Sequence, residues 1–347
     1  MSSSLPSSPD AAAPDVRRSA LTDWLGTLGS GYGLRTETLR PASADASFRR
    51  YFRIDAGDAS LIAMDAPPEK EDSRPFIHVA GLLRDAGLNA PQVLEADLAH
   101  GFLLLTDLGT TTYLSVLNDD SASALFDDAL DALVRWQLAS RPGVLPPYDD
   151  ALLRRELSLF PDWYVARHLG HELTARQSQV LQRMFDRIVA SNLAQPNVYV
   201  HRDYMPRNLM VAAPNPGVLD FQDAVMGPIT YDVASLFRDA FVSWEEARVV
   251  DWVVRYWQKA RRAGLPVDPD FGAFWRDFEW MGLQRHLKVL GIFARINYRD
   301  GKPHYLADTP RFVGYVRSVT RRYDELAPLA RLFDELEGVA QRVGYTF

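Results

Sequence analysis

The chain is 347 residues long, with 47% apolar and 24% charged residues, a formal net charge of −7 and no cysteine. Disulfides, thiolate metal sites, iron–sulfur clusters and a cysteine nucleophile are thereby excluded, and the mild acidity argues against a general nucleic-acid binder, which carries a basic domain or face. At about 150 residues per domain the length suggests two domains, each large enough to bury a core without staples.

Residues 1–15 are rich in Ser, Pro and Ala, with too little apolar surface to offset the entropy of ordering them, and predict a disordered tail reaching to about residue 18. The segment lacks the charged start and apolar middle of a secretory signal. Nowhere does an uncharged apolar run reach bilayer length, so the expectation is a cytoplasmic protein without membrane contact. A short helix over 19–28 precedes three strands at 34–39, 48–55 and 60–64, separated by turn-like segments at 41–47 and 56–58. Helical periodicity covers 76–86 and stops at Gly87, and an apolar run over 102–106 ends at Asp107-Leu108-Gly109. From there the pattern is helical: Phe126, Leu130, Leu133, Val134 and Leu138 share a face, and further helices are expected over 151–169 and 175–190. Short strands at 198–200, 209–211 and 218–221 interrupt a remainder that is nearly all helical from 243 on. The pattern predicts a small strand-rich lobe, 19–107, and a large helical lobe, 108–347.

The chemistry concentrates in Val198-Tyr-Val-His201-Arg202-Asp203-Tyr204-Met-Pro-Arg-Asn208-Leu-Met-Val211 and Val218-Leu-Asp220-Phe221. A strand ends, a polar loop carries Asp203 and Asn208, and a second carboxylate, Asp220, sits at the end of another strand. Asn and Asp, hard ligands in small number, suit Mg²⁺ shared with substrate phosphates. A carboxylate outside the metal shell can then accept a proton from a hydroxyl nucleophile. That division of labour belongs to phosphoryl transfer, where positioning and charge neutralisation do most of the catalysis. His-x-Asp followed by four residues and Asn arises by chance in on the order of one chain in a hundred; the apolar strand and Val-Leu-Asp-Phe that follow make coincidence rarer.

His201 to Asn208 and Leu219 to Phe221 resemble the catalytic and metal loops of the aminoglycoside phosphotransferase/choline kinase branch of the protein-kinase-like fold. The resemblance implies a two-lobed α+β kinase fold with ATP and Mg²⁺ in the cleft, Asp203 as catalytic base, and Asn208 and Asp220 as Mg²⁺ ligands. Tyr231-Asp232-Val-Ala-Ser235 resembles the segment whose aspartate braces the catalytic loop, and Leu104-Leu-Thr106-Asp107-Leu108-Gly109 the hinge that receives adenine. On the same basis Ser47, Phe48, Arg49, Met64, Thr106, Asp107 and Leu108 are expected at the nucleotide. A narrower likeness, in Ala46-Ser-Phe-Arg-Arg-Tyr-Phe52, Met64-Asp-Ala-Pro-Pro68, His201-Arg-Asp-Tyr204, Gln284-Arg-His-Leu-Lys-Val-Leu-Gly291, Asp300-Gly-Lys-Pro303 and Asp308-Thr-Pro-Arg-Phe312, is to bacterial anomeric kinases of cell-wall recycling. It implies phosphorylation of N-acetylmuramate and N-acetylglucosamine at the anomeric hydroxyl, with no obligate protein partner evident.

The chain departs from the kinase pattern in its first lobe. Residues 42–47, where the phosphate-covering loop belongs, contain no glycine, although their small side chains allow close backbone approach. Gly29-Ser-Gly-Tyr-Gly33 precedes the first strand instead of linking two strands, so its glycines lack the context of a phosphate loop. The third strand offers Met64 where a lysine is usual, and the helix over 76–86 has no glutamate to pair with one. Arg49 or Arg50 is the expected substitute cation; strand alternation puts them on opposite faces, and Arg49 is the favoured one.

Other residues carry two readings each. His201 reads as a brace for the loop more than as a catalyst, and Arg202 has no activation segment to pair with. His168 and His171 have metal-like spacing but no third ligand. Trp163 and Tyr164 suit either stacking on a sugar or filling a core. Glu156 can bind sugar hydroxyls or be an exposed helix charge beside Arg154 and Arg155. Asp223 and Tyr204 are candidate substrate neighbours. Arg285 and Lys288, three apart on one helix face, form either a site for a substrate carboxylate or a surface patch. Competing functions are a kinase for an aminoglycoside or amino alcohol, whose pocket should be acidic, and a nucleotide-binding pseudokinase, which has no need of Asp203.

Overall fold

A computed structural model describes residues 15–43 and 48–338. Ser47 and residues 1–14 of the expected tail lie outside them, and residues 16–18, also expected in that tail, are helical. Helix α1 (Val16–Tyr32) starts with Asp15 as its N-cap, the carboxylate accepting from the Arg18 amide at 3.0 Å. Gly29 and Gly31 fall in the last turns of α1, and Gly33, at φ 64°, closes it. That is the ordinary left-handed C-terminal stop.

The chain forms two compact units. Residues 1–78 and 91–107 make the first, and residues 79–90 and 108–347 the second, so 79–90 departs from the contiguous 19–107 division expected. In the first, strands β1 (Leu34–Ser43), β2 (Arg50–Ala56), β3 (Ala59–Asp65), β4 (Val93–Asp97) and β5 (Phe102–Thr106) form an antiparallel sheet in the order β1-β2-β3-β5-β4. Alternation decides its two faces. Phe52, Ile54, Ala63, Phe102 and Leu104 pack with Leu21 and Leu25 of α1. Register places Met64 opposite Tyr51, so Tyr51, Arg53, Ser60 and Met64 belong to the other face. Gly101, at φ 75°, donates its amide to the Asp97 carbonyl at 2.8 Å, and a Cβ there would lie 1.8 Å from the Ala66 carbonyl oxygen.

Helix α2 (Arg74–Asp85) joins the two units. The second unit contains α3 (Tyr113–Val116), α4 (Ala122–Leu138), α5 (Asp150–Leu159), a π-helix (Phe160–His168), α6 (Ala175–Leu193), α7 (Tyr231–Phe237), α8 (Glu246–Arg262), α9 (Phe271–Asp300), α10 (Thr309–Arg322) and α11 (Ala327–Leu336). The helix expected over 151–169 is therefore α-helical only to Leu159. Two short ladders interrupt the helices, β6 (Asn197–Val200) with β9 (Val225–Pro228) and β7 (Leu209–Met210) with β8 (Gly217–Val218). Helix α9 runs through the middle of this unit, and it buries not only Trp280, Met281, Leu283, Leu287 and Leu290 but also Glu279, Gln284, Arg285, His286 and Lys288. Buried ionisable groups persist only when paired or neutralised, which directs attention to what they touch. Among the described residues no helix is long and apolar enough to cross a membrane.

Candidate active site

The loop leaving β6 is tied down by a carboxylate beneath it. Asp232, in the first turn of α7, accepts from the amide of His201 at 2.7 Å and from that of Arg202 at 3.0 Å. Burial pushes its pKa up to about 7, against the pull of those two N–H groups. His201 is buried as well; its Nδ1 accepts from the Asp203 amide at 3.3 Å, which puts the ring proton on Nε2. Burial holds its pKa down to about 4 although Asp203 pulls the other way, so His201 braces the loop as a neutral ring. Arg202 has φ 77° and Asp220 φ 62°, left-handed conformations that cost a non-glycine residue of order 1–3 kcal/mol and cluster at functional sites.

Asn208 ends a 3₁₀ turn (Pro206–Asn208) and donates from Nδ2 to the Asp203 carbonyl at 2.9 Å and to Asp220 Oδ2 at 3.3 Å. The Leu219 amide donates back to the Asn208 carbonyl at 2.9 Å, and Asp220 follows at once. Gln222 donates to the other oxygen of Asp220 at 2.9 Å. The strand expected to run to Phe221 ends at Val218, because a left-handed residue cannot continue a ladder. The Asp203 carboxylate accepts no hydrogen bond from the described residues. A carboxylate, an amide side chain and a second carboxylate are thus gathered on one loop and one hairpin end. Hard oxygens in small number fit Mg²⁺, which keeps waters and phosphate oxygens in its shell. Among the described residues no cluster of three or more His, Cys, Asp or Glu could hold a metal ion. His168 and His171 instead meet Tyr298 and Gln177.

Beside this loop lies a buried charge network that sequence patterns did not reveal. Glu156 of α5 is not an exposed helix charge: its side chain is 6% exposed. Oε1 accepts from Arg202 Nη2 at 2.5 Å and Lys288 Nζ at 2.9 Å; Oε2 accepts from Gln284 Nε2 at 3.2 Å and from the Tyr148 hydroxyl. Burial alone would raise its pKa, but Lys288 and Arg202 outweigh that and hold it at about 2. Lys288 donates on to the Tyr231 hydroxyl at 3.1 Å. Burial opposes its charge, and Tyr231 and Glu156 more than restore it, leaving the pKa raised. Arg285 and Lys288 therefore form no surface patch. Arg285 is buried near Asp232 and Asp239, and both carboxyls are lowered by its charge against the larger effect of their burial.

Two substrate candidates are corrected. Tyr204 is fully buried and its hydroxyl donates to the Ala129 carbonyl at 2.7 Å, anchoring the loop to α4 instead of facing a ligand. Tyr164 is core, stacked on Phe160. Trp163 is half-buried on the π-helix and Asp223 is exposed next to Gln222.

In the first unit, Arg49 and Arg50 do point apart. Arg50 pairs with Asp65 at 2.5 Å and with Asp15, on the α1 side. Arg49 pairs with Glu71 at 2.9 Å, a glutamate that sequence reasoning missed because it precedes α2 instead of lying on it. Met64 is buried, and Phe48 is exposed with the Lys70 ammonium 5.5 Å from its ring. Asp107 is bound by Arg53 Nη2 at 2.9 Å and by the Ser60 hydroxyl at 2.7 Å. Thr106 is fixed across the sheet: its amide donates to the Gln92 carbonyl at 3.0 Å and its hydroxyl accepts from the Gln92 amide at 2.8 Å. Leu108, in the second unit, packs against Gly217, where a Cβ would come within 2.9 Å of it.

Comparison with known proteins agrees with this arrangement. Residues 38–269 match the phosphotransferase enzyme family. The chain is 56% identical to an N-acetylmuramate/N-acetylglucosamine kinase of Pseudomonas aeruginosa, over 93% of this chain and 97% of that one. A protein of the same name from Neisseria meningitidis is 52% identical over 95% and 99%, and one from Caulobacter vibrioides 32% over 90% and 95%. Among solved structures, choline kinase LicA from Streptococcus pneumoniae superposes with a TM-score of 0.60 at 13% identity, covering 86% of this chain and 99% of that one. The ADP-bound aminoglycoside phosphotransferase APH(2'')-Ib gives 0.56 at 14%, covering 90% and 98%. At that identity the likeness establishes the fold: two-lobed, kinase-like and α+β. By the match over most of its length and by its identity to these kinases, the chain belongs to the phosphotransferase enzyme family.

Proposed function

We propose that the protein transfers the γ-phosphoryl group of ATP to the anomeric hydroxyl of N-acetylmuramate and N-acetylglucosamine. The observation that carries the reading is the Asp203–Asn208–Asp220 arrangement, in which Asn208 lies 3.3 Å from Asp220 and donates to the Asp203 backbone. The name shared by relatives more than half identical over nearly the whole chain supports the choice of sugar.

Asp203 orients the anomeric hydroxyl and accepts its proton as that oxygen bonds to the γ-phosphorus. The bond from that phosphorus to the β–γ bridging oxygen breaks, and ADP leaves. Mg²⁺ held by Asn208 Oδ1 and Asp220, when bound, would neutralise charge on the phosphates. Asn208 Nδ2, by donating to the Asp203 carbonyl, turns its amide oxygen to that task. Arg49, fixed by Glu71, supplies the cation that the third strand lacks, and Thr106, Asp107 and Leu108 receive the base. A cytoplasmic site of action belongs to the same proposal, because the reaction consumes ATP.

The test is ADP release from purified protein with ATP and Mg²⁺, adding either sugar, kanamycin or nothing. We expect release with the two sugars only, phosphate on the anomeric oxygen by ³¹P NMR, and a fall of about 10²–10⁴-fold in Asp203→Asn, the usual contribution of a positioned base. Release that ignores both sugars overturns the proposal.

A further inference from the structure

Arg202 is held from four directions. Its amide donates to Asp232 Oδ1 at 3.0 Å, Nη2 to Glu156 at 2.5 Å and Nη1 to the Asp223 carbonyl at 3.4 Å, and its guanidinium lies 6.0 Å from the Tyr148 ring. Glu156 is in turn fixed by Lys288, Gln284 and Tyr148. Tyr148 cannot drift, because its ring packs on Gly227, where any Cβ would come within 2.8 Å, and its amide donates to the Met226 carbonyl at 2.8 Å. Lys288 reaches Tyr231, the residue before Asp232. The contacts close a ring: Glu156 to Arg202, through the loop amides to Asp232, along the chain to Tyr231, and through Lys288 back to Glu156. Asp203 is attached to that ring at one point, the residue after Arg202.

A buried ion pair is a poor way to gain stability, since well-packed apolar residues often serve as well or better. What it does supply is direction, because an Arg fork and a carboxylate meet in few geometries. Here the direction falls on a residue held at φ 77°, a conformation that persists only where its surroundings over-determine it.

We propose that Glu156 is a positioning residue for phosphoryl transfer: by clamping the Arg202 side chain it keeps the left-handed turn ahead of Asp203 and so the aim of that carboxylate. The inference rests on Asp203 as the base. It differs from the sugar-contact role expected of Glu156, because both carboxylate oxygens are already engaged by protein donors.

The experiment compares Glu156→Gln, Arg202→Met and the double variant. Arg202→Met leaves Glu156 paired with Lys288, so it strands no buried charge and retains the fold if Glu156→Gln does not. Two quantities are read: steady-state kcat and KM for ATP and each sugar, and amide hydrogen exchange of residues 201–205 in the ligand-free protein. Each single variant should lower kcat 10–100-fold with both KM values within threefold. The double variant should be within threefold of the weaker single, and exchange in the loop should quicken in all three. Unchanged kcat, a loss confined to the sugar KM, losses that multiply in the double variant, or unaltered exchange would each overturn the proposal. Asp203→Asn separates the two readings: if it keeps wild-type turnover, the base assignment fails, while loop exchange still reports on the clamp by itself.

Discussion

At the scale of single residues, the site is built from groups whose charge states are set by burial against a few partners. Glu156 illustrates the balance. Its folded pKa, about 2, lies below its ordinary 4.5 because Lys288 and Arg202 overcome burial. A carboxyl depressed on folding stabilises the protein above its unfolded pKa and loses that contribution as pH falls through the folded one. Ionisation of that carboxyl should therefore favour the folded state at neutral pH, a contribution lost between about pH 4.5 and 2. Urea midpoints measured across that range should fall more steeply for wild type than for Glu156→Gln; parallel curves would show that the carboxylate is not held ionised by its neighbours. That Asp203, Asn208 and Asp220 come together was legible from spacing, since one loop and one hairpin carry them. Glu156 was not, since its partners Arg202 and Gln284 are 46 and 128 residues away in the chain and no local pattern marks them. Tyr204 was misread for a related reason: adjacency to Asp203 in the chain says nothing about which way a side chain turns.

At the scale of elements, hydrophobic periodicity located most helices, and the errors fall where the backbone leaves the regular menu. Residues 160–168 carry helical spacing yet form a π-helix, a choice made by packing. Gly291 of α9 allows it: a Cβ there would lie 2.3 Å from the Leu159 carbonyl carbon and oxygen, at the junction of α5 and the π-helix. Backbone at that distance cannot give way as a flexible side chain could. Gly291→Ala should cost at least the 1–3 kcal/mol typical of overpacking, read as a fall in the thermal midpoint. A neutral or stabilised variant would show that the close approach does not hold α5 in place. Strands β4 and β9 escaped the sequence reading because each is a few residues long and neither alternates cleanly. β9 nonetheless matters to the candidate site, as its pairing with β6 fixes where the loop carrying Asp203 begins.

At the scale of the molecule, the chain forms two units of different composition, one mostly sheet and one mostly helix. A phosphotransferase that takes nucleotide with a shared metal should gain stability from the two together. With ATP and Mg²⁺ at a hundred times their dissociation constant, linkage adds about 2.7 kcal/mol, visible as a rise in melting temperature. Chelation of Mg²⁺ with EDTA should remove most of that rise and abolish turnover, and Asp220→Ala should behave like EDTA. A full shift in EDTA would mean that nucleotide binds without the metal.

The sequence by itself determined the reaction class and singled out the residues proposed for it. Phosphoryl transfer needs few groups at short spacing, and His201, Asp203, Asn208 and Asp220 lie within twenty consecutive residues. The amphipathic patterns that separate a sheet-rich from a helical part are likewise local. Only the tertiary structure decided what surrounds those groups. The pairing of Arg49 with Glu71, the Asp107 contacts with Arg53 and Ser60, and the ring through Glu156, Lys288 and Tyr231 are encounters between distant segments. Their charges are tolerated in buried positions because each meets its partner there, and that condition is met only once the chain has folded.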